Sequence, residues 1–307
     1  MKEIHLASTQ GFCAGVSSAI EVVKRALEKF GTPLYVRHHI VHNHSVIADF
    51  EKQGVVFIES LDEVPEGSRV IFSAHGVAPT VYEDAKSRNL HYIDATCPLV
   101  TKVHREAIQF SQKNIQTVLI GHRGHQELIG TSGYVKTDLL HVIEDENDID
   151  ALNLDPSQPI GYLTQTTLSV TETAKLIAKL KEKYPNIVAP PKEDICFATQ
   201  NRQDAVYELS KLCDVIIICG SPHSSNSNRL KETAQSHGIV SYIIDTEEEL
   251  DLSWLDGKER VGISSGASVP RYIVDRVVEK IQSKYPNTPV LEKESVEKGI
   301  SFAVPKF

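Results

Sequence analysis

The feature that most constrains this chain is a recurrence. Three cysteines, in Gly11-Phe12-Cys13-Ala14-Gly15, Ala95-Thr96-Cys97-Pro98 and Asp194-Ile195-Cys196-Phe197, each stand just before a stretch of helical hydrophobic spacing. The intervals between them, 84 and 99 residues, are the size of small α/β units. About one helix and one strand after each cysteine comes a polar loop: His42 at +29, His125 at +28 and Ser225 at +29. A second polar loop follows a second strand, with His75 at +62, Thr166 at +69 and Ser268 at +72. Six loops in matching phase predict three similar α/β units with pseudo-threefold symmetry, each giving one thiol and two polar loops to a common centre.

Short β-branched runs alternate with amphipathic stretches along the chain. Strands are expected at Leu34–Arg37, Val70–Ser73, Thr117–Gly121, Ile160–Thr164, Val215–Gly220, Ser241–Ile244 and Val261–Ser264. Helices are expected at Val16–Phe30, Pro79–Arg88, Val100–Lys113, Val170–Lys183, Thr199–Leu212, Asn228–His237 and Pro270–Lys284. Such alternation predicts an α/β fold of parallel sheets, whose ligands collect beyond the carboxyl ends of the strands. The units are expected at residues 1–96, 97–195 and 196–285, with a tail over 286–307 that adds a strand through Ile300–Val304. The acidic stretches Glu144–Asp150 and Asp245–Asp251 read as solvated loops and helix starts.

Composition narrows the function. At 307 residues with 41% apolar and 24% charged residues, the chain is an ordinary globular one. A net charge of −9 argues against a general nucleic-acid or anionic-membrane binder, while leaving room for a small anion in a local pocket. No apolar run approaches the roughly 18 residues of a membrane span. The start, Met1-Lys2-Glu3-Ile4-His5, has no apolar h-region, so a cytoplasmic location is expected.

The five cysteines divide into two kinds. Cys13, Cys97 and Cys196 each meet a helix N-terminus, where unpaired N–H groups favour the thiolate. Three converging thiolates repel unless a cation neutralises them, and soft thiolates select zinc, copper(I) or an iron–sulfur cluster. A structural zinc site closes its shell with four ligands. Three distant thiols leave one metal position open to a ligand. Cys213 and Cys219 instead flank Asp214-Val215-Ile216-Ile217-Ile218, a strand buried on both faces, and read as small core side chains.

The polar loops supply anion-binding chemistry. Val41-His42-Asn43-His44, Ala74-His75-Gly76 and Gly121-His122-Arg123-Gly124-His125 all follow strands, and imidazoles aimed at one point make an anion site. Ser224-Ser225-Asn226-Ser227-Asn228 precedes a helix, where hydroxyls, amides and the helix start suit phosphate oxygens. Ser264-Ser265-Gly266-Ala267-Ser268 repeats the theme. Glu127, beside His125 and near Thr166 and Thr167 in this scheme, is a candidate proton carrier, because burial raises a carboxyl pKa. Neither GxxxxGK[ST] nor GxGxxG occurs.

These residues carry a resemblance. Gly11–Val16, Ile40–Asn43, Phe72–Gly76, Asp94–Val100, Thr164–Ser169, Asp194–Cys196, Ser224–Leu230 and Gly266–Ser268, in this order, resemble the 4-hydroxy-3-methylbut-2-enyl diphosphate reductases of the non-mevalonate isoprenoid pathway. The match runs from the first ten residues to Val304-Pro305-Lys306. It implies a three-lobed α/β protein around an oxygen-sensitive iron–sulfur cluster. Cys13, Cys97 and Cys196 would hold three irons, and the fourth iron of a [4Fe–4S] form would meet the substrate; isolation as [3Fe–4S] is also compatible. His42, His75, His125, Ser224, Ser225, Asn226 and Ser268 match substrate-binding positions, mostly diphosphate contacts. Thr166 matches the threonine near the substrate hydroxyl, and Glu127 the proton donor.

The reaction implied removes the allylic hydroxyl with two electrons and two protons, giving water and isopentenyl and dimethylallyl diphosphates. Electrons would come from a partner such as a reduced flavodoxin or ferredoxin. Two departures stand beside matched residues: Gln126 where the family usually has Pro, and His223 where Asn is common. Two alternatives stay open from the residues alone. A metal-dependent phosphohydrolase would want an open metal and phosphate loops, though usually with His and carboxylate ligands. A non-catalytic iron–sulfur sensor would use the cysteines but needs no proton donor.

Overall fold

The computed structural model describes residues 1–307. In chain order its elements are β1 (Glu3–Leu6), α1 (Ala14–Phe30), β2 (Leu34–Arg37), α2 (His44–Lys52), β3 (Val55–Ile58), β4 (Arg69–Phe72), α3 (Pro79–Ser87) and β5 (His91–Asp94). Next come α4 (Pro98–Gln112), β6 (Gln116–Ile120), α5 (Gln126–Ser132), β7 (Leu140–Ile143), α6 (Glu146–Ala151), β8 (Ile160–Thr164) and α7 (Val170–Lys183). The chain ends with α8 (Phe197–Ser210), β9 (Val215–Cys219), α9 (Ser225–Ser236), β10 (Val240–Ile244), β11 (Arg260–Ser265), α10 (Arg271–Lys284) and β12 (Val290–Glu292).

The strands form three sheets, ordered β10-β9-β11-β1-β12, β3-β2-β4-β5 and β7-β6-β8. Every strand pair is parallel, as the alternation predicts. Two compact units result. The first comprises Met1–Ser17, Val41–Phe50 and Phe197–Ser301, and contains the five-stranded sheet. The second comprises Ser18–Ile40, Glu51–Cys196 and Phe302–Phe307, and contains the other two.

The central strands β9 and β6 each feed two cores. In the first unit, Val215, Ile217 and Cys219 of β9 pack with Ile273, Val274 and Val277 of α10. Ile216 and Ile218 point the other way, against Val206 and Leu209 of α8, Leu230 of α9, and Cys213. This is period-2 alternation in a sheet covered on both faces. In the second unit, Leu119 of β6 meets Val103 and Ala107 of α4, while Val118 and Ile120 meet Leu180 of α7. Parallel sheets need such helices to cover both apolar faces, and these helices fix where the strand ends open.

The N-terminal strand β1 pairs with β11 on one side and β12 on the other, both formed by the last fifty residues of the chain. The strand expected through Ile300–Val304 does not form; Val290–Glu292 takes that role. The free edge of β1 is filled by β12, and Ile300 lies exposed. The strands β3, β5 and β7, all at sheet edges, and the helices α2, α5 and α6 are not among the expected elements. The acidic stretch 144–150 does contain a helix start, with Asp145 capping α6 through the N–H groups of Asn147 and Asp148.

Candidate active site

The three thiols of the recurrence share one backbone setting. Cys13 and Cys196 immediately precede α1 and α8, and Cys97 is the N-cap of α4, with Pro98 in the first turn. Each cysteine N–H donates at 3.0 Å to a carbonyl of a second polar loop: Cys97 to Ala74, Cys196 to Thr166 and Cys13 to Ala267. Those carbonyls adjoin or belong to His75, Thr166 and Ser268, the three residues that the spacing assigned to equivalent positions. The recurrence is therefore a recurrence of hydrogen bonding as well as of sequence. None of the five cysteines is in a disulfide, and the three at helix starts are partly exposed. Cys213 and Cys219 are buried among aliphatic side chains, and burial pushes both thiols up to about 12.

In the second unit the predicted residues form a continuous chain of contacts. Strand β6 ends at Ile120, and its loop carries His125 to the N-cap of α5, where the imidazole Nδ1 accepts from the N–H of Glu127 at 3.2 Å. Because Nδ1 is an acceptor, Nε2 carries the ring proton and is a donor. Burial, with a smaller contribution from His122, lowers the His125 pKa to about 4, so the ring is neutral at pH 7. His75 stands edge to face with His125, their ring centres 5.9 Å apart, and its Nδ1 pairs with the Ser73 hydroxyl at 3.1 Å. Gly76 next to it has φ +76°, and a β-carbon there would lie 2.6 Å from Cε1 of His104, so only glycine fits this turn.

Glu127, a first-turn residue of α5, is buried. Thr166, in the loop after β8, donates to its carboxylate from the backbone N–H at 2.9 Å and from the hydroxyl at 3.0 Å. Burial raises the carboxyl pKa to about 7, against the pull of these two donors. A carboxyl poised there can both hold and release a proton at neutral pH. The chain of contacts thus runs from Cys97 through Ala74-His75, His125, Glu127 and Thr166 to Cys196.

The first unit presents hydroxyls and an amide. Ser224 is the N-cap of α9, its hydroxyl accepting from the N–H of Ser227 at 3.3 Å, and Ser225 begins the helix. Asn226 is buried, yet neither atom of its carboxamide has a hydrogen-bond partner. A buried amide left bare costs free energy unless a ligand satisfies it. Ser268 donates to the backbone carbonyl of His42 at 3.2 Å, joining the two loops. Asn43 then accepts from the N–H of Val46 at 3.1 Å and starts α2. The bare carboxamide, two flanking serines and a helix N-terminus suit phosphate oxygens.

The two departures, Gln126 and His223, lie at the start of α5 and in the turn before α9. Gln126 is the first residue of α5, where a proline would lose no intrahelical bond. His223 donates its backbone N–H to the Ser221 hydroxyl at 3.2 Å, in the turn before α9. No three His, Cys, Asp or Glu side chains gather closely enough to ligate one metal ion. A cluster that takes one thiolate per iron does not ask for that, and one sulfur at each of three helix starts is a donor set of the right chemistry for it. Reading the sequence missed Lys102 and Arg202, which fasten the loops before two of the cysteines. A helical Lys or Arg gives no sequence signal that it points at a carbonyl.

Comparison with known proteins identifies the family of the chain. The family profile described as LytB protein matches residues 4–282. The 4-hydroxy-3-methylbut-2-enyl diphosphate reductase of Dechloromonas aromatica is 49% identical over 304 residues, covering 99% of each chain. That of Psychrobacter arcticus is 47% identical over 307 residues, covering 99% of this chain and 96% of the relative. Among solved structures, the E-1-hydroxy-2-methyl-but-2-enyl-4-diphosphate reductase from Plasmodium falciparum superposes with a TM-score of 0.93 at 38% identity, over 100% of this chain and 95% of the other. A second, described as (E)-4-hydroxy-3-methyl-but-2-enyl diphosphate reductase, the terminal enzyme of the non-mevalonate pathway, gives 0.65 at 33% identity, over 92% and 100%.

Proposed function

The chain belongs to the LytB protein family and is an oxidoreductase of the terminal step of the non-mevalonate pathway, and we infer which of its residues do the work. It reduces 4-hydroxy-3-methylbut-2-enyl diphosphate to isopentenyl and dimethylallyl diphosphates, the C–O bond being replaced by C–H with release of water. Neither a phosphohydrolase nor a non-catalytic sensor accounts for full-length relatives that are named as this reductase.

The family carries an iron–sulfur cluster, and we assign Cys13, Cys97 and Cys196 as its thiolate ligands, in a [4Fe–4S] form. When bound, such a cluster supplies electrons singly together with an iron open to the substrate oxygen. The protein residues do the rest. Asn226, Ser224, Ser225 and Ser268, with His42, His75 and His125, hold the diphosphate and so fix the allylic alcohol, which makes proton transfer effectively intramolecular. Thr166 holds the Glu127 carboxyl in place and is within reach of the substrate hydroxyl in this scheme. Glu127 gives its proton to the departing oxygen, and the second proton ends on carbon.

The observation that carries this reading is a buried carboxyl poised near pH 7 and held by two donors from Thr166. The division into units at 1–96, 97–195 and 196–285 with a tail at 286–307 belongs to the same proposal, as do a cytoplasmic location and a flavodoxin or ferredoxin as donor. No helix is long and apolar enough to cross a membrane. The test is anaerobic turnover of the diphosphate with a chemical reductant, with iron and sulfide measured on the same sample. Two electrons consumed per substrate and formation of both products are expected. Full cluster loading without reduction of the substrate would refute the assignment.

A further inference from the structure

Two cations, a partly exposed Lys102 and a fully buried Arg202, link thiol-bearing helices to the approach of another thiol. Lys102 lies five residues after Cys97 in α4. Its Nζ donates to the carbonyls of Lys192 at 2.6 Å and Glu193 at 3.0 Å, and to Oδ1 of Asp194 at 2.7 Å. The Asp194 side chain is fully enclosed, and its other oxygen accepts from the N–H of Thr164 at 2.9 Å. Two residues on, the N–H of Cys196 donates to the carbonyl of Thr166. Residues 192–196 are thus fastened to α4 on one side and to the end of β8 on the other.

Arg202 repeats the device. It lies six residues after Cys196 in α8, with no solvent exposure. One terminal nitrogen donates to the carbonyl of Gly11 at 2.8 Å, two residues before Cys13. The other donates to both carboxylate oxygens of Glu297, at 3.0 and 3.1 Å. Gly11 in turn donates to the Ser265 hydroxyl at 2.8 Å, so this loop too is held from two sides. In α1 the corresponding positions are Ser18 and Ala19, so the third helix lacks the cation.

We propose that Lys102 and Arg202 are positioning residues, which lock the loops leading into Cys196 and Cys13 so that these thiols meet an iron–sulfur cluster at a preset place. The inference rests on the assignment of those cysteines as ligands. An ammonium with three fixed acceptors, or a guanidinium forked between a carboxylate and a carbonyl, leaves its loop one backbone path. A preset thiolate does not have to be recruited again each time a ligand bond opens, so the cluster is released more slowly. Outer contacts of this kind are typically worth about 10–100-fold in metal retention.

The test uses anaerobically isolated holoenzyme and the rate at which a chelator bleaches its chromophore, alongside iron content, melting temperature and the paramagnetic signal of the reduced cluster. Lys183 is the control, because its Nζ donates to the carbonyls of Ile149 at 2.7 Å, Asp150 at 2.9 Å and Leu152 at 2.6 Å, in a loop that leads to no cysteine. Lys102→Met should bleach about 10–100-fold faster than wild type, with an altered signal. Lys102→Arg should return both toward wild type, and Lys183→Met should leave both unchanged whatever it does to melting. Arg202→Met should resemble Lys102→Met; if it does not fold, Arg202→Met with Glu297→Gln removes the stranded carboxylate and carries that arm. Bleaching of Lys102→Met no faster than Lys183→Met, at equal iron content, overturns the proposal. A cluster retained in Cys196→Ser would instead overturn the ligand assignment on which it rests.

Discussion

Thr166 donates both its hydroxyl and its backbone N–H to the carboxylate of Glu127, at 3.0 and 2.9 Å across 39 residues of sequence. Both bonds favour the ionised form, and burial opposes them and prevails, leaving the carboxyl at about 7. The relationship joins the loop after β8 to the first turn of α5, and so places a proton store where two strand-end loops meet.

The first consequence is a pH dependence of stability. Glu127 binds its proton more tightly folded, at about 7, than its ordinary value of 4.5 would allow unfolded. Unfolding therefore releases a proton between those values, and stability falls as pH rises from about 4.5 through 7. The full loss is on the order of 3 kcal/mol, at about 1.4 kcal/mol per pKa unit. Glu127→Gln should remove this slope. Melting of the two holoenzymes between about pH 5.5 and 8 checks it, and parallel curves would mean that Glu127 is ionised throughout.

The cysteines should separate by setting. Cys13→Ser, Cys97→Ser and Cys196→Ser should each lose most of the iron, because each removes one of only three thiolates. Cys213→Ala and Cys219→Ala should keep the chromophore, at a packing cost of about 1 kcal/mol. Iron content per chain and visible absorption decide between them. Loss of iron from Cys213→Ala with retention in Cys196→Ala would reverse the assignment.

Asn226 should report on the diphosphate. Asn226→Ala should weaken binding of the substrate by about 1.5–3 kcal/mol, the worth of a hydrogen bond to a charged group. The alcohol without its diphosphate should bind both forms alike. Titration calorimetry with the two ligands measures the difference, and equal weakening would move the phosphate site elsewhere.

Gln126 tests how much a departure from the family pattern matters. It is the first residue of α5, and His125 before it has φ −69° and ψ 138°, a conformation that proline permits in its predecessor. Gln126→Pro should leave the iron content unchanged and stabilise the protein by about 0.4–1 kcal/mol, through a less flexible unfolded chain. A destabilisation above about 1 kcal/mol would show that the loop before α5 is not held as described.

Much of this was legible before any coordinates. The spacing from Cys13 to His75, Cys97 to Thr166 and Cys196 to Ser268 placed loops that prove to hold the next cysteine by the same N–H bond. Long periodic elements such as α7, at Val170–Lys183, are found within their expected bounds. What stayed hidden has physical reasons. The edge strands β5 and β7 include His91 and Asp94, and His141, among their four residues and so lack the β-branched run that marks a central strand. The partners of β1 are chosen by edges that form some 250 residues later in the chain. The carbonyl latches of Lys102 and Arg202 depend on backbone atoms, which every sequence supplies alike. Burial raises the Glu127 carboxyl in the direction expected from the sequence, but the two Thr166 donors that oppose it depend on a backbone N–H and a packing that no spacing shows.

The most direct test of the account is single-turnover reduction by wild type and Glu127→Gln, each with a full cluster. The amide is nearly isosteric and still accepts from Thr166, so cluster content and substrate affinity should persist. The proton is gone, and a general acid is typically worth about 10²–10⁴-fold, so the rate should fall by that order while bound alcohol accumulates uncleaved. A variant that keeps more than about a tenth of the wild-type rate would contradict the account and leave Glu127 as a buried structural carboxyl.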